Sequence, residues 1–157
     1  MKRILLIIFI NINILLLNSC NNIQKESNPF QVEAIYEYDK DFHAYFNQTF
    51  KQKLIPKTKY FVIPISSCDQ CVDSALFKAA TNSFNWNIVI VGVTEDSIRK
   101  IYIDKITSQY KTFNDSLSHL WEYAVGIGLP SLLKVNEKNT VFSKREFSYG
   151  SWSNFKE

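Results

Sequence analysis

Three cysteines and two histidines are all that this chain of 157 residues offers for thiol or metal chemistry. A closed zinc site takes four such ligands, and neither His43 nor His119 lies close in sequence to a cysteine pair. Charge of one sign is also scarce. The formal excess is +3, and Lys2 and Arg3 supply two of those charges, so no basic patch remains for nucleic acid. No apolar run reaches the roughly 20 residues that a bilayer-spanning helix needs. Ile4–Leu17 has 14, and Asn11 and Asn13 interrupt it. The chain also lacks an internal repeat, a glycine-rich phosphate loop, a serine-hydrolase motif and the Thr and Arg of a peroxide-binding cysteine site. What it has is 46% hydrophobic and 21% charged residues. That suits one packed domain and argues against global disorder.

The start combines a short basic region, Lys2-Arg3, with the apolar run, which suits a secretory signal. The run closes on Leu17-Asn18-Ser19-Cys20, which resembles a bacterial lipobox. That resemblance implies a signal peptide over residues 1–19 and lipidation of Cys20. It places the protein on the extracytoplasmic, periplasmic side, held to the membrane through a lipid anchor. Asn21–Glu33 is polar and aperiodic, so residues 20–35 read as a tether and 36–157 as the folded domain. With Cys20 lipidated, Cys68 and Cys71 are the remaining thiols, in a compartment that permits disulfides. A thiol/disulfide pair then fits better than a metal site.

Tyr36–Asp41 is expected to be extended. Within Lys40–Leu54, the residues Phe42, Tyr45, Phe46, Phe50 and Leu54 fall at steps of three and four, which predicts a helix with a core-facing stripe. His43 lies beside that stripe and reads as a boundary residue. After Pro56-Lys57, Tyr60–Ile65 is continuously apolar, as in a strand buried on both faces. Val72–Phe84 has helical spacing and Asn87–Thr94 reads as a second buried strand. Ser66-Ser67-Cys68-Asp69-Gln70-Cys71 thus sits at the strand-to-helix junction of a β-α-β unit. Glu95–Ile106 is expected to be helical, capped by Thr94 or Asp96, with Ile98, Ile101 and Tyr102 inward. Gln109–Asn114 reads as loop or a short extended piece. Ser116–Val125 reads as a short helix capped by Asp115, with His119 exposed on it. Gly126–Pro130 breaks the chain, and Ser131–Asn136 and Thr140–Phe147 read as a hairpin turning at Asn136–Asn139.

This order of elements resembles the thioredoxin superfamily from about Tyr60 to Phe147. Two segments carry the resemblance, Ser67-Cys68-Asp69-Gln70-Cys71 and, about sixty residues on, Gly128-Leu129-Pro130-Ser131-Leu132-Leu133. The resemblance is to the extracytoplasmic, membrane-tethered members, among them the disulfide reductases of the cytochrome-maturation type. The resemblance implies a thioredoxin-like α/β fold: a central mixed sheet with a β-α-β unit and a C-terminal β-hairpin. It implies catalysis by Cys68 and Cys71, supported by Asp69, Gln70 and Pro130, with no cofactor and no metal. It makes Pro130 cis, lying against the cysteine pair and turning backbone near Leu129 toward an incoming peptide. The expected activity is thiol-disulfide exchange on exported proteins, by a monomer served by a membrane redox partner. Two other readings use the same residues: a non-catalytic binding lipoprotein with a structural disulfide, and a copper chaperone using both thiolates and His119.

Physical chemistry assigns the roles. The free N–H groups and dipole of a helix N-terminus favour a thiolate, so Cys68 is the expected nucleophile and Cys71, one turn inward, the resolving thiol. The chain departs from the family at Ser67, where tryptophan is usual, and at Val62, where many members bury an acid. Asp69 stands where thioredoxin has glycine, and its carboxylate is expected to hold back the Cys68 thiolate unless it caps the helix. The chain also ends soon after the hairpin, where the family adds a helix. The Lys40–Leu54 helix is expected to cover part of that sheet face.

Overall fold

A computed structural model of the chain describes residues 37–151. Cys20, the signal segment and the tether lie outside the described residues. The first element is helix α1, Asp39–Phe50. Glu37 and Tyr38 form a turn rather than an extended lead. Asp39 and Asp41 occupy the first turn, where carboxylates complement the helix dipole. Lys51, at φ 53°, ends the helix short of Leu54, which still reaches the core.

Strand β1, Lys59–Pro64, is followed by helix α2, Asp69–Thr81, and strand β2, Asn87–Val91. Next come helix α3, Ser97–Gln109, and strand β3, Thr112–Asp115. A single 3-10 turn, His119–Glu122, leads toward β4, Ser131–Val135, and β5, Val141–Glu146. The sheet order is β3-β2-β1-β4-β5. β1 runs parallel to β2, and β2 to β3, while β4 is antiparallel to both β1 and β5. This is a mixed, thioredoxin-like α/β sheet with the expected β-α-β unit and hairpin.

The unbroken apolar runs follow from burial on two faces. Tyr60 and Val62 of β1, with Val89 and Val91 of β2, pack with Phe42, Tyr45 and Phe46 of α1. Phe61, Ile63, Ile88 and Ile90 point the other way, onto Val72, Leu76 and Ala79 of α2 and Ile106 of α3. α1 therefore covers the sheet face opposite α2 and α3, as its stripe led us to expect. Phe46 stacks edge-on against both Tyr60 of β1 and Phe113 of β3, joining α1 to two strands of the sheet.

Two expectations about elements need correction. Asp96 does cap α3, its Oδ1 accepting from the N–H groups of Ile98 and Arg99 at 2.8 and 2.9 Å. The inner face, however, is not Ile98 and Ile101, which are 61% and 64% exposed. It runs through Arg99, Tyr102, Ile103 and Ile106, so an arginine fills the first inward position. The helix expected over Ser116–Val125 shrinks to the 3-10 turn. Ser118 takes a left-handed backbone (φ 59°), and the Asp115 side chain binds the N–H groups of His119 and Leu120, which ties the turn to β3. Gly126 then adopts φ 59° with the Tyr38 ring against it. A Cβ there would lie 2.6 Å from Tyr38 Cε2, so only glycine fits.

Candidate active site at the start of helix α2

β1 ends at Pro64, and the Ser67 N–H donates to the Pro64 carbonyl at 3.1 Å, turning the chain toward α2. Cys68 is the N-cap residue. Its carbonyl accepts from the N–H groups of Cys71 and Val72, both at 2.9 Å, and so opens the helix. Both cysteines therefore stand in the first turn, three residues earlier than the hydrophobic spacing starts the helix. They are joined as a disulfide with a Cα–Cα distance of 5.2 Å. Cys68 is exposed, whereas Cys71 is 3% exposed. The exposed cysteine thus stands at the positive end of a helix dipole, and its buried partner lies within the first turn. In chemical terms this is an accessible thiol with a shielded partner in reach, suited to redox exchange.

The Asp69 carboxylate is paired across to helix α3. Its Oδ1 accepts from Arg99 Nη2 at 2.8 Å, and Asp73 Oδ1 accepts from Arg99 Nε at 2.7 Å. The Arg99 side chain is 14% exposed, the Asp69 side chain 82%. These bonds, Asp73 first and Asp69 second, raise the guanidinium above its already high ordinary value, so Arg99 stays charged. Gln70 is exposed on the same turn. The Ser67 hydroxyl is buried and has no hydrogen-bond partner among the described residues. Val62 is fully buried beside α1, an apolar side chain within strand β1.

Pro130 is buried and immediately precedes β4, whose Ser131 pairs with Val62. It thus opens β4 at the sheet end from which β1 leaves for Cys68. The cis bond expected there is absent: among the described residues no peptide bond is cis. Its carbonyl accepts from the Phe147 N–H at 2.8 Å, closing the end of the hairpin.

The sequence reading missed a buried polar cluster behind this loop. Asp115, at the end of β3, has its carboxylate out of solvent. Oδ2 accepts from the Tyr45 hydroxyl at 3.2 Å and from the Leu120 N–H at 3.0 Å. Oδ1 accepts from the His119 N–H at 3.0 Å and lies 3.0 Å from His119 Nδ1. Burial, and then the Asp115 charge, push Tyr45 ionisation far above the usual phenol range. His119 is thus bound to a carboxylate rather than merely exposed on a helix. The signal in the sequence was an Asp-x-x-x-His spacing, which on its own is weak.

Among the described residues no group of three or more His, Cys, Asp and Glu side chains is placed to hold a metal ion. None of their helices is long and apolar enough to cross a membrane. No protein-family model matches the chain, and no curated protein or solved structure is significantly similar to it.

Proposed function

We propose that the protein is a thiol-disulfide oxidoreductase, lipid-anchored through Cys20 and acting on disulfides of exported proteins. The observation that carries this reading is the disulfide of an exposed Cys68 and a buried Cys71 at the first turn of α2. In the reduced protein, Cys68 loses its proton to solvent and the thiolate attacks one sulfur of the substrate disulfide. The substrate S–S bond breaks, a mixed disulfide forms at Cys68, and the departing thiolate takes up a proton. Cys71, deprotonated in turn, attacks the Cys68 sulfur and releases the second substrate thiol. Two electrons pass from the cysteine pair to the substrate, and the Cys68–Cys71 disulfide re-forms. A dithiol donor, supplied by a membrane redox partner, restores the pair.

A second reading, a binding lipoprotein with a fixed disulfide, draws support from Val62, because an apolar side chain there cannot pass a proton to or from the pair. One experiment separates the two. Cys71→Ser should accumulate mixed disulfides with exported proteins through Cys68, and the wild type should reduce insulin disulfides with a dithiol donor. If neither Cys71→Ser nor Cys68→Ser traps a partner and insulin is untouched, the oxidoreductase reading is lost. In the same cells Cys20→Ser should leave the membrane fraction or persist as precursor. Normal processing and membrane retention of that variant would remove the anchor from the proposal.

A further inference from the structure

The charged groups around Cys68 come from two helices. Asp69 and Asp73 stand on α2. Asp96 and Arg99 stand at the start of α3, with Asp96 committed to the cap. Glu95 pairs with Lys100 at 2.9 Å on exposed surface, and His119 is engaged by Asp115. Among these charged groups of the described residues, Arg99 reaches across from α3 to the turn that holds the disulfide, where it binds the residue next to Cys68. It does so from the inward phase of α3, where an apolar residue was expected.

We infer that Arg99 is a positioning residue for the Cys68 thiol. Through its bridge to Asp69 and Asp73 it holds the Asp69 carboxylate on the α3 side of the turn and sets a positive charge against it. Cys68 then feels an ion pair rather than a lone carboxylate, and its thiolate can form at the helix N-terminus in spite of Asp69. The importance of this for exchange chemistry rests on the oxidoreductase reading; the effect on the thiol does not. The effect is electrostatic. Asp69 disfavours a neighbouring thiolate, Arg99 favours it, and to first order the two contributions add at the sulfur. Removing one member should therefore move the thiol in one direction, and removing the other should move it back. A residue that merely tied α3 to α2 would produce no such pair of opposite shifts.

The test uses the full chain in its reduced form. Alkylation of Cys68 by iodoacetamide is followed against pH by mass spectrometry of the Cys68 peptide. A close charge shifts a titration by about one to three pH units, and exposure with salt cuts this to about half a unit here. Arg99→Gln should raise the midpoint by about that much, leaving about threefold less thiolate near neutral pH. Asp69→Asn should lower it by a similar amount. The double variant should return close to wild type, and Arg99→Lys, which keeps the charge, should stay there. A melting temperature that falls in Arg99→Gln with the midpoint unmoved would overturn the inference. So would shifts of the same sign in the two single variants. If Arg99→Gln does not fold, Asp69→Asn decides alone, since an unchanged midpoint there means that the pair does not reach the thiol. Shifted midpoints in a protein that reduces no disulfide would reject the proposed function and keep the role of Arg99. Unmoved midpoints in an active protein would do the reverse.

Discussion

Tyr45 and Asp115 meet in a place that water does not reach, and the pairing makes a measurable demand on pH. Below about pH 10, both the folded and the unfolded chain keep the Tyr45 proton. Above that, the unfolded chain releases it while the folded one, its ionisation pushed upward by burial and by Asp115, does not. The folded state then binds the extra proton, so its stability is complete below about pH 10 and falls as pH rises. One proton corresponds to about 1.4 kcal/mol per pH unit. Tyr45→Phe should cost about 1–3 kcal/mol at neutral pH, because Asp115 loses a buried partner. Its alkaline limb should then be shallower by one proton. Urea unfolding between pH 9 and 12 measures both, and parallel limbs in the two proteins would contradict the assignment. At this scale the sequence was readable where chemistry follows from local order. Cys68, Cys71 and the Asp96 cap are set by their immediate neighbours. The Arg99 bridge to Asp73 and the Tyr45–Asp115 bond join side chains 26 and 70 residues apart, which no spacing announces.

The loop that enters β4 depends on one carboxylate. Asp115 takes the N–H groups of His119 and Leu120 and so fixes the 3-10 turn from which the chain runs on to Gly126 and Pro130. Asp115→Ala strips those donors, and the Tyr45 hydroxyl, of their acceptor at once. A lost cap and unpaired buried donors together should destabilise the protein by about 2–4 kcal/mol. Equilibrium urea denaturation checks this, and a loss below about 1 kcal/mol would show that the turn holds itself. Legibility varies among elements for the same physical reasons. β1 and β2 stood out because each is buried on both faces. β3 is a four-residue edge strand with one buried apolar side chain, Phe113, too little to separate it from a loop. The phase of α3 was misread because its two most apolar outer residues face solvent, while the aliphatic stem and paired head of Arg99 fill an inward site.

Across the whole molecule, two aromatic-rich clusters on either side of the sheet supply the core without help from the disulfide. A cross-link at a sequence separation of 3 removes little chain freedom, about 2 kcal/mol in the loop-closure picture. A domain of this size usually has about 5–15 kcal/mol in hand. The reduced protein should therefore remain folded and unfold cooperatively, with its urea midpoint lowered in proportion. Collapse on reduction would mark the disulfide as a staple instead. The sheet edges also bear on assembly. β3 is short and β5 carries Lys144, Arg145 and Glu146, features that oppose edge-to-edge pairing with a second chain. The spacing of the two sulfurs has a kinetic counterpart. With Cα atoms 5.2 Å apart on one turn, any adduct on Cys68 has its displacing thiol attached to the same scaffold, at an effective concentration far above that of thiols in the surroundings. For a protein that exchanges at Cys68, the lifetime of each encounter would then be an internal property of the chain, indifferent to the reductant outside. Its partners would pass through as turnover and leave almost no standing complex to isolate from the wild type.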